Sequence, residues 1–173
     1  MLELIKRIKL IDERVFEAIV DRRHPGVDRL MRMLTHLADP SIAILFVALM
    51  MSAPAPLAAA GRQAAFALVT SHVFVQLLKR GVARRRPELP AGLVPLIKVP
   101  DRFSFPSGHA AAALSIGLPL AEILPGRLGP IVLALAALVG LSRCYLGVHY
   151  LCDVFVGWVL AIAAYVFDVT ALP

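Results

Sequence analysis

Two of the five histidines in this 173-residue chain stand among residues that could carry chemistry. Three short segments hold them. The first is Lys79-Arg80-Gly81-Val82-Ala83-Arg84-Arg85-Arg86-Pro87, and the second is Pro106-Ser107-Gly108-His109. The third is Ser142-Arg143, followed by His149 and Asp153. Lys79, Arg86 and Arg143 supply three cations, and each arginine presents a planar fork that matches phosphate oxygens. Ser107 stands where an apolar helix begins, so it is expected to cap that helix. The free N–H groups of Ser107, Gly108 and His109 would then point outward at the positive end of the dipole. Gly108 lets the backbone approach an anion closely.

His149 and Asp153 are spaced i, i+4, about one helical turn apart on one face. A carboxylate so placed can hold one imidazole nitrogen as N–H and leave the other bare to attack phosphorus. His109, arriving from another helix start, can protonate the leaving oxygen and then activate water. Two histidines and a cationic cage suffice for phosphoryl transfer through a phosphohistidine without a metal. The chain offers no carboxylate cluster of the two-metal kind, so no metal or cofactor is expected.

The elements that must position these residues are written in the composition. Hydrophobic residues make up 59% and charged residues 17%, with a mean hydropathy of +0.77. Soluble domains run nearer 45–50% apolar and about 25% charged. Disorder is excluded by the same figures. The fold class expected is an all-α integral membrane bundle. Residues 1–37 read as an amphipathic surface segment and residues 38–173 as a transmembrane catalytic bundle, together one domain. Met1 to Arg23 places Leu2, Ile5, Ile8, Val15, Phe16 and Ile19 broadly on one face and is too charged to span. Its charges also argue against a signal peptide.

About five spans are expected, because a crossing needs roughly 20 apolar residues. They are Ile42–Ala60, Gln63–Leu78, Phe103–Ala121, Leu128–Ser142 and a last one extending over Tyr150–Thr170. Pro54 and Pro56 are expected to bend the first span or end it early. Five spans put the three chemical segments on one membrane face. That face then carries every basic residue except Arg62 and Arg127, out of 18 Lys and Arg in all. The positive-inside rule assigns it to the cytoplasm. The net charge of +6 reads as affinity for anionic lipid headgroups, with no interleaved aromatics to suggest nucleic acid.

Lys, six residues, Arg-Pro; then Pro-Ser-Gly-His; then Ser-Arg, five residues, His, three residues, Asp: this series resembles the full signature of the type 2 phosphatidic acid phosphatase superfamily. The motifs run from Lys79 to Asp153, in the family's order and spacing. The resemblance implies metal-independent hydrolysis of a lipid phosphate in a bacterial inner membrane. It implies His149 as nucleophile, Asp153 as its orienter and His109 as acid and base, with Lys79, Arg86, Ser107, Gly108 and Arg143 on the phosphate. Phosphatidate, phosphatidylglycerophosphate and a polyprenyl phosphate or diphosphate are the substrates it suggests. Many bacterial members resemble six-span proteins with a helix before the surface helix, which is not expected here. Some members acting on undecaprenyl diphosphate carry Asp in place of Gly108. Two other readings compete: phosphoryl transfer to an acceptor other than water, and a non-catalytic protein that binds or transports lipid headgroups.

Among the remaining polar residues, Arg80, Arg84 and Arg85 read as interfacial anchors, and His72 as a satisfied buried histidine. His24 and His36 read as surface residues, and Cys144 and Cys152 as small buried ones.

Overall fold

The computed structural model describes residues 2–99 and 101–171, in seven α-helices with no strand among them. They are α1 (Leu2–Val20), α2 (Pro25–His36), α3 (Pro40–Met51), α4 (Leu57–Val82), α5 (Gly108–Ile123), α6 (Leu128–Tyr145) and α7 (Leu151–Ala171). The chain is all-α, as its composition requires.

Helices α4 to α7 form the central bundle, and small residues let them pack closely. On α4 the buried stripe is Ala60, Ala64, Ala67, Ser71 and Val75, stepping by three and four residues along one face. Facing it, α5 buries Ala110, Ala111, Ala112, Ser115 and Gly117, while α7 buries Gly157, Ala161 and Ala164. Apolar side chains cannot drive helices together when lipid is equally apolar, so association rests on close backbone approach and packing. Large apolar residues instead face outward, among them Leu45, Leu49, Val73, Leu77, Phe155 and Phe167. A bundle with small residues inside and large aliphatic ones outside is solvated by hydrocarbon, and the protein is an integral membrane protein.

Among the described residues, two single helices are long and apolar enough to cross, α6 and α7. The pair α2 and α3 passes the same test only when joined across its 53° bend, and α5, at 16 residues, is shorter. The expected first span, Ile42–Ala60, is not one helix. It ends at Met51, and the chain turns through Pro54 and Pro56 before α4 starts at Leu57. Proline removes a backbone donor and clashes with the preceding turn, so the early end follows from these two residues. The expected span from Phe103 begins later, at Gly108, because Pro106 and the Ser107 cap fix its start.

The surface helix also departs from expectation. Phe16 and Val20 turn inward as its apolar pattern suggests, but Asp12 is buried beside them. Ile8 and Ile11 stay exposed and line an apolar patch with Val15, Leu151 and Phe155. The side chains of Leu2 and Ile5 lie outside the described residues. Pro25 opens α2, where a missing N–H costs nothing, and the His24 ring accepts a hydrogen bond from Gly26 N at 3.3 Å.

The long connection from α4 to α5 is closed at its base. Ser104 N donates to Arg84 O at 2.9 Å and Ser104 Oγ to Arg85 O at 3.0 Å, beside an antiparallel bridge between Arg85 and Phe103. This clasp holds residues 84–86 and 101–104 together above the bundle.

Candidate active site

The three chemical segments meet at one end of the bundle. Lys79 at the last turn of α4, Arg86 beyond it, Gly108 and His109 at the start of α5, Arg143 at the last turn of α6 and His149 in the following link all line a single cavity of about 380 Å³. Its wall towards α3 and the middle of α4 is aliphatic: Ala38, Pro40, Ala43, Ile44, Leu68 and Val69. Ser107 and Asp153 do not line the cavity. Both are fully buried behind it.

Ser107 caps α5, its Oγ accepting from Ala110 N at 3.4 Å. Its own N–H donates to the Asp153 carbonyl at 2.9 Å, fastening the start of α5 to α7. That approach depends on Gly157, where a Cβ would stand 2.5 Å from Ser107 O.

His149 Nε2 lies 3.4 Å from Arg86 Nη1. Its Nδ1 is 3.5 Å from Asp153 Oδ2, aligned as an i, i+4 pair but beyond hydrogen-bond reach, and this Nδ1 has no other partner among the described residues. Asp153, expected as the orienter of His149, has other partners as well. Asp153 Oδ2 accepts from Tyr150 N at 2.9 Å, and Oδ1 accepts from Arg84 Nη1 at 2.9 Å. Burial drives the His149 imidazole down to about 4, against the pull of Asp153 and with the help of Arg143 and Arg86.

The cations are held by partners the sequence did not announce. Arg143 is buried, with Nη1 donating to Thr35 Oγ1 of α2 at 2.6 Å and Nε left without a partner among the described residues. Arg86 donates from Nη1 to Val148 O at 2.7 Å and from Nη2 to Asp101 Oδ1 at 2.8 Å. Asp101 also receives Lys79 Nζ on its second oxygen. One carboxylate thus bridges two of the three cations. Burial opposes its ionisation, but Lys79 and Arg86 hold the Asp101 carboxyl below the usual carboxylate range. His109 Nε2 sits 3.1 Å from Asp39 Oδ1, whose other oxygen takes His36 Nδ1 at 2.7 Å.

Arg84 is not the interfacial anchor expected of it. Its guanidinium bridges Asp153 and Asp12 and lies 4.0 Å above the Tyr150 ring. Arg80 and Arg85 are exposed at the surface. His72 lines the cavity with Nδ1 3.0 Å from the Leu68 carbonyl, so it is both satisfied and at the site. The signal for Asp12, Asp39 and Asp101 lay in charge alone: each is an acidic residue near an apolar stretch, with no motif spacing to mark it. Among the described residues, no group of three or more His, Cys, Asp or Glu side chains gathers to hold a metal ion.

An apolar helical bundle enclosing three cations and three imidazoles at one end defines the class, a membrane-embedded phosphatase. The chain belongs to the PAP2 superfamily, whose profile matches residues 60–171. It is 37% identical over 152 residues to the decaprenylphosphoryl-5-phosphoribose phosphatase of Mycobacterium tuberculosis, covering 83% of this chain and 78% of that one. It is 29% identical to phosphatidylglycerophosphatase B of Bacillus subtilis, covering 90% and 80%. The crystal structure of Aquifex aeolicus LpxE superposes with a TM-score of 0.79 at 25% identity, covering 90% of this chain and 93% of that one. The Bacillus subtilis transmembrane PAP2-type phosphatidylglycerolphosphate phosphatase gives a TM-score of 0.74 at 28% identity, covering 95% and 88%.

Proposed function

We propose that this chain is a metal-independent lipid phosphate phosphatase that works through a phosphohistidine, with residues 1–173 forming one catalytic unit. The observation that carries the reading is the single cavity: cations and imidazoles at one end, an aliphatic wall along α3 and α4. A phosphate fits the first and an acyl or polyprenyl chain the second.

In this reading His149 Nε2 attacks phosphorus, and the bond from phosphorus to the lipid oxygen breaks as His109 protonates that oxygen. Water then attacks the phosphohistidine, His109 takes its proton, and the N–P bond breaks to release phosphate. Asp153 keeps the imidazole aligned through its Nδ1 side. Lys79, Arg86 and Arg143 spread the charge that builds on the phosphoryl oxygens, and such electrostatic stabilisation, together with positioning, does most of the catalysis in phosphoryl transfer. Ser107 and Gly108 add the dipole of α5. The orphaned, buried Arg143 Nε supports this role, since a buried donor without a partner is costly unless an anion meets it.

The relatives act on lipid-linked phosphates of different heads, as their names state: decaprenylphosphoryl-5-phosphoribose and phosphatidylglycerophosphate. A lipid phosphomonoester or diphosphate is the substrate class proposed here, in a bacterial inner membrane whose anionic lipids attract the basic face. That face is proposed to be cytoplasmic, from the distribution of basic residues. Labelling of a cysteine placed within residues 88–99 tests the side; reaction with an impermeant reagent in intact cells would reject it.

Activity is tested by phosphate release from phosphatidate, phosphatidylglycerophosphate and a polyprenyl diphosphate by purified protein with EDTA present. Release unaffected by the chelator and reduced by several orders of magnitude in His149→Ala is expected. Release that survives the substitution refutes the mechanism.

A further inference from the structure

We infer that Arg84 and Asp12 are positioning residues for the His149–Asp153 pair, so that the surface helix α1 is a working part of the active site. The inference rests on the phosphatase reading and adds to it two residues outside the cavity.

Arg84 does not line the cavity, whereas Arg86, two residues on, does. The Arg84 guanidinium donates from Nη1 to Asp153 Oδ1 at 2.9 Å and from Nη2 to Asp12 Oδ2 at 2.8 Å. Asp153 is wholly buried and Asp12 is 4% exposed. Two buried carboxylates, one from α1 and one from α7, are therefore held on either side of one cation. Without it they would repel each other in a poorly solvated space. Asp12 makes a second contact with the same helix: its Oδ1 accepts from Cys152 N at 3.0 Å, in the first turn of α7. A carboxylate there satisfies an orphan donor and matches the positive end of the α7 dipole. Phe16 of α1 packs edge-on against Tyr150, with ring centroids 5.6 Å apart, beneath the Arg84 guanidinium. One helix on the membrane surface thus fixes the turn that presents both His149 and Asp153.

The electrostatic consequence has a definite sign. His149 is faced by Asp153 from α7, Arg86 from the segment after α4, Arg143 from α6 and His109 from α5, with Arg84 paired to Asp153 and Asp12 of α1 paired to Arg84. Removing Arg84 leaves Asp153 without its cation, so Asp153 draws the proton of its neighbour more strongly. His149 then stays protonated to a higher pH. Removing Asp12 concentrates the Arg84 charge on Asp153 and moves the midpoint down.

The test uses the full chain in detergent, with Arg84→Met, Arg84→Lys, Asp12→Asn and the Arg84→Met/Asp12→Asn double variant. Two readouts are taken: kcat and KM for phosphate release, and the pH midpoint of His149 carbethoxylation by diethyl pyrocarbonate, followed on the His149 peptide by mass spectrometry. Arg84→Met is expected to lower kcat about tenfold or more with KM within about twofold, and Arg84→Lys to recover most of the loss. The double variant should be no slower than Arg84→Met, since Asp12 acts through Arg84. The carbethoxylation midpoint should rise by about one unit in Arg84→Met and fall in Asp12→Asn. Losses that multiply, a KM that rises while kcat holds, or a midpoint that stays put would overturn the inference. If Arg84→Met does not fold, Arg84→Lys and Asp12→Asn decide it by the same midpoint. Absence of phosphate release by the wild type would instead reject the phosphatase reading, while the midpoints still decide whether Arg84 and Asp12 act on His149.

Discussion

A single methyl group added at Gly157 tests whether the site depends on backbone contact between α5 and α7. In Gly157→Ala the new Cβ would stand 2.5 Å from Ser107 O, 3.2 Å from Ala110 Cβ and 3.3 Å from Ala111 N. Two of these neighbours are main chain, so no rotamer change relieves the clash. Bringing the shortest contact to about 3.0 Å needs a shift of at least about 0.5 Å, and ordinary van der Waals contact needs nearly 1 Å. The shift must fall on Ser107, the cap of α5, and stretch the 2.9 Å bond from Ser107 N to Asp153 O. Two opposing effects then set stability. Overpacking costs roughly 1–3 kcal/mol, and replacing a helical glycine by alanine returns roughly 1 kcal/mol, for a net loss of about 0–2 kcal/mol. Activity has no such offset, because misplacing a catalytic framework by about 1 Å costs up to roughly a hundredfold. The expected result is a variant that elutes and melts nearly as wild type while kcat falls about ten- to a hundredfold. Phosphate release and a thermal melt on the same preparation check it. Gly81→Ala is the control, since no described residue lies within 4 Å of a Cβ there, and it should keep full activity. Wild-type kcat in Gly157→Ala would refute the reasoning, and so would a collapse in stability that accounts for the whole loss.

Other outcomes follow from the same geometry. The wild-type His149 midpoint should fall near 4, measured by carbethoxylation; a folded-state value lowered from about 6.5 keeps this imidazole, the proposed nucleophile, neutral through pH 5–8, and stability should decline as pH drops from about 6.5 towards 4 because the unfolded chain takes up the proton first. A midpoint at or above 6.5 contradicts this. Asp101→Asn removes the carboxylate that competes for Lys79 and Arg86, so KM should drop several-fold with kcat little changed; a higher KM would mean that Asp101 organises the cations instead. His109→Ala should depress release from a lipid alkoxide far more than from p-nitrophenyl phosphate, whose leaving group needs no proton, and equal losses on both would remove His109 from the acid role.

The sequence made the bundle and the cavity lining legible for different reasons. Helical class and membrane residence follow from bulk apolarity, which no local detail can reverse. His149 and Asp153 sit on neighbouring turns of one chain segment, so their proximity could be read from spacing. Lys79, Arg86, His109 and Arg143 come from separate helices and from the connection after α4, and the motif series named them although spacing alone could not. The partners of these residues were not legible. Asp12 reaches Arg84 across 72 positions and Thr35 reaches Arg143 across 108, and nothing in an isolated acidic or hydroxyl residue foretells such a contact. Arg84 was misread as an anchor because a basic residue at a helix end ordinarily reaches for water. Here the chain turns at Ala83, in left-handed backbone with φ of 49°, and carries Arg84 over the bundle instead. The first expected span does end early, at Met51, as the two prolines within its apolar run predict.

The aliphatic wall formed by Ala43, Ile44, Leu68 and Val69 changes what concentration means for this protein. A substrate whose chain rests there is drawn from a two-dimensional solution, so the reaction responds to its mole fraction among lipids or detergent and hardly to its amount per volume. Adding inert detergent at constant substrate should slow turnover by surface dilution. In a membrane, by the same logic, rate is governed by how crowded one leaflet is with phosphorylated lipid.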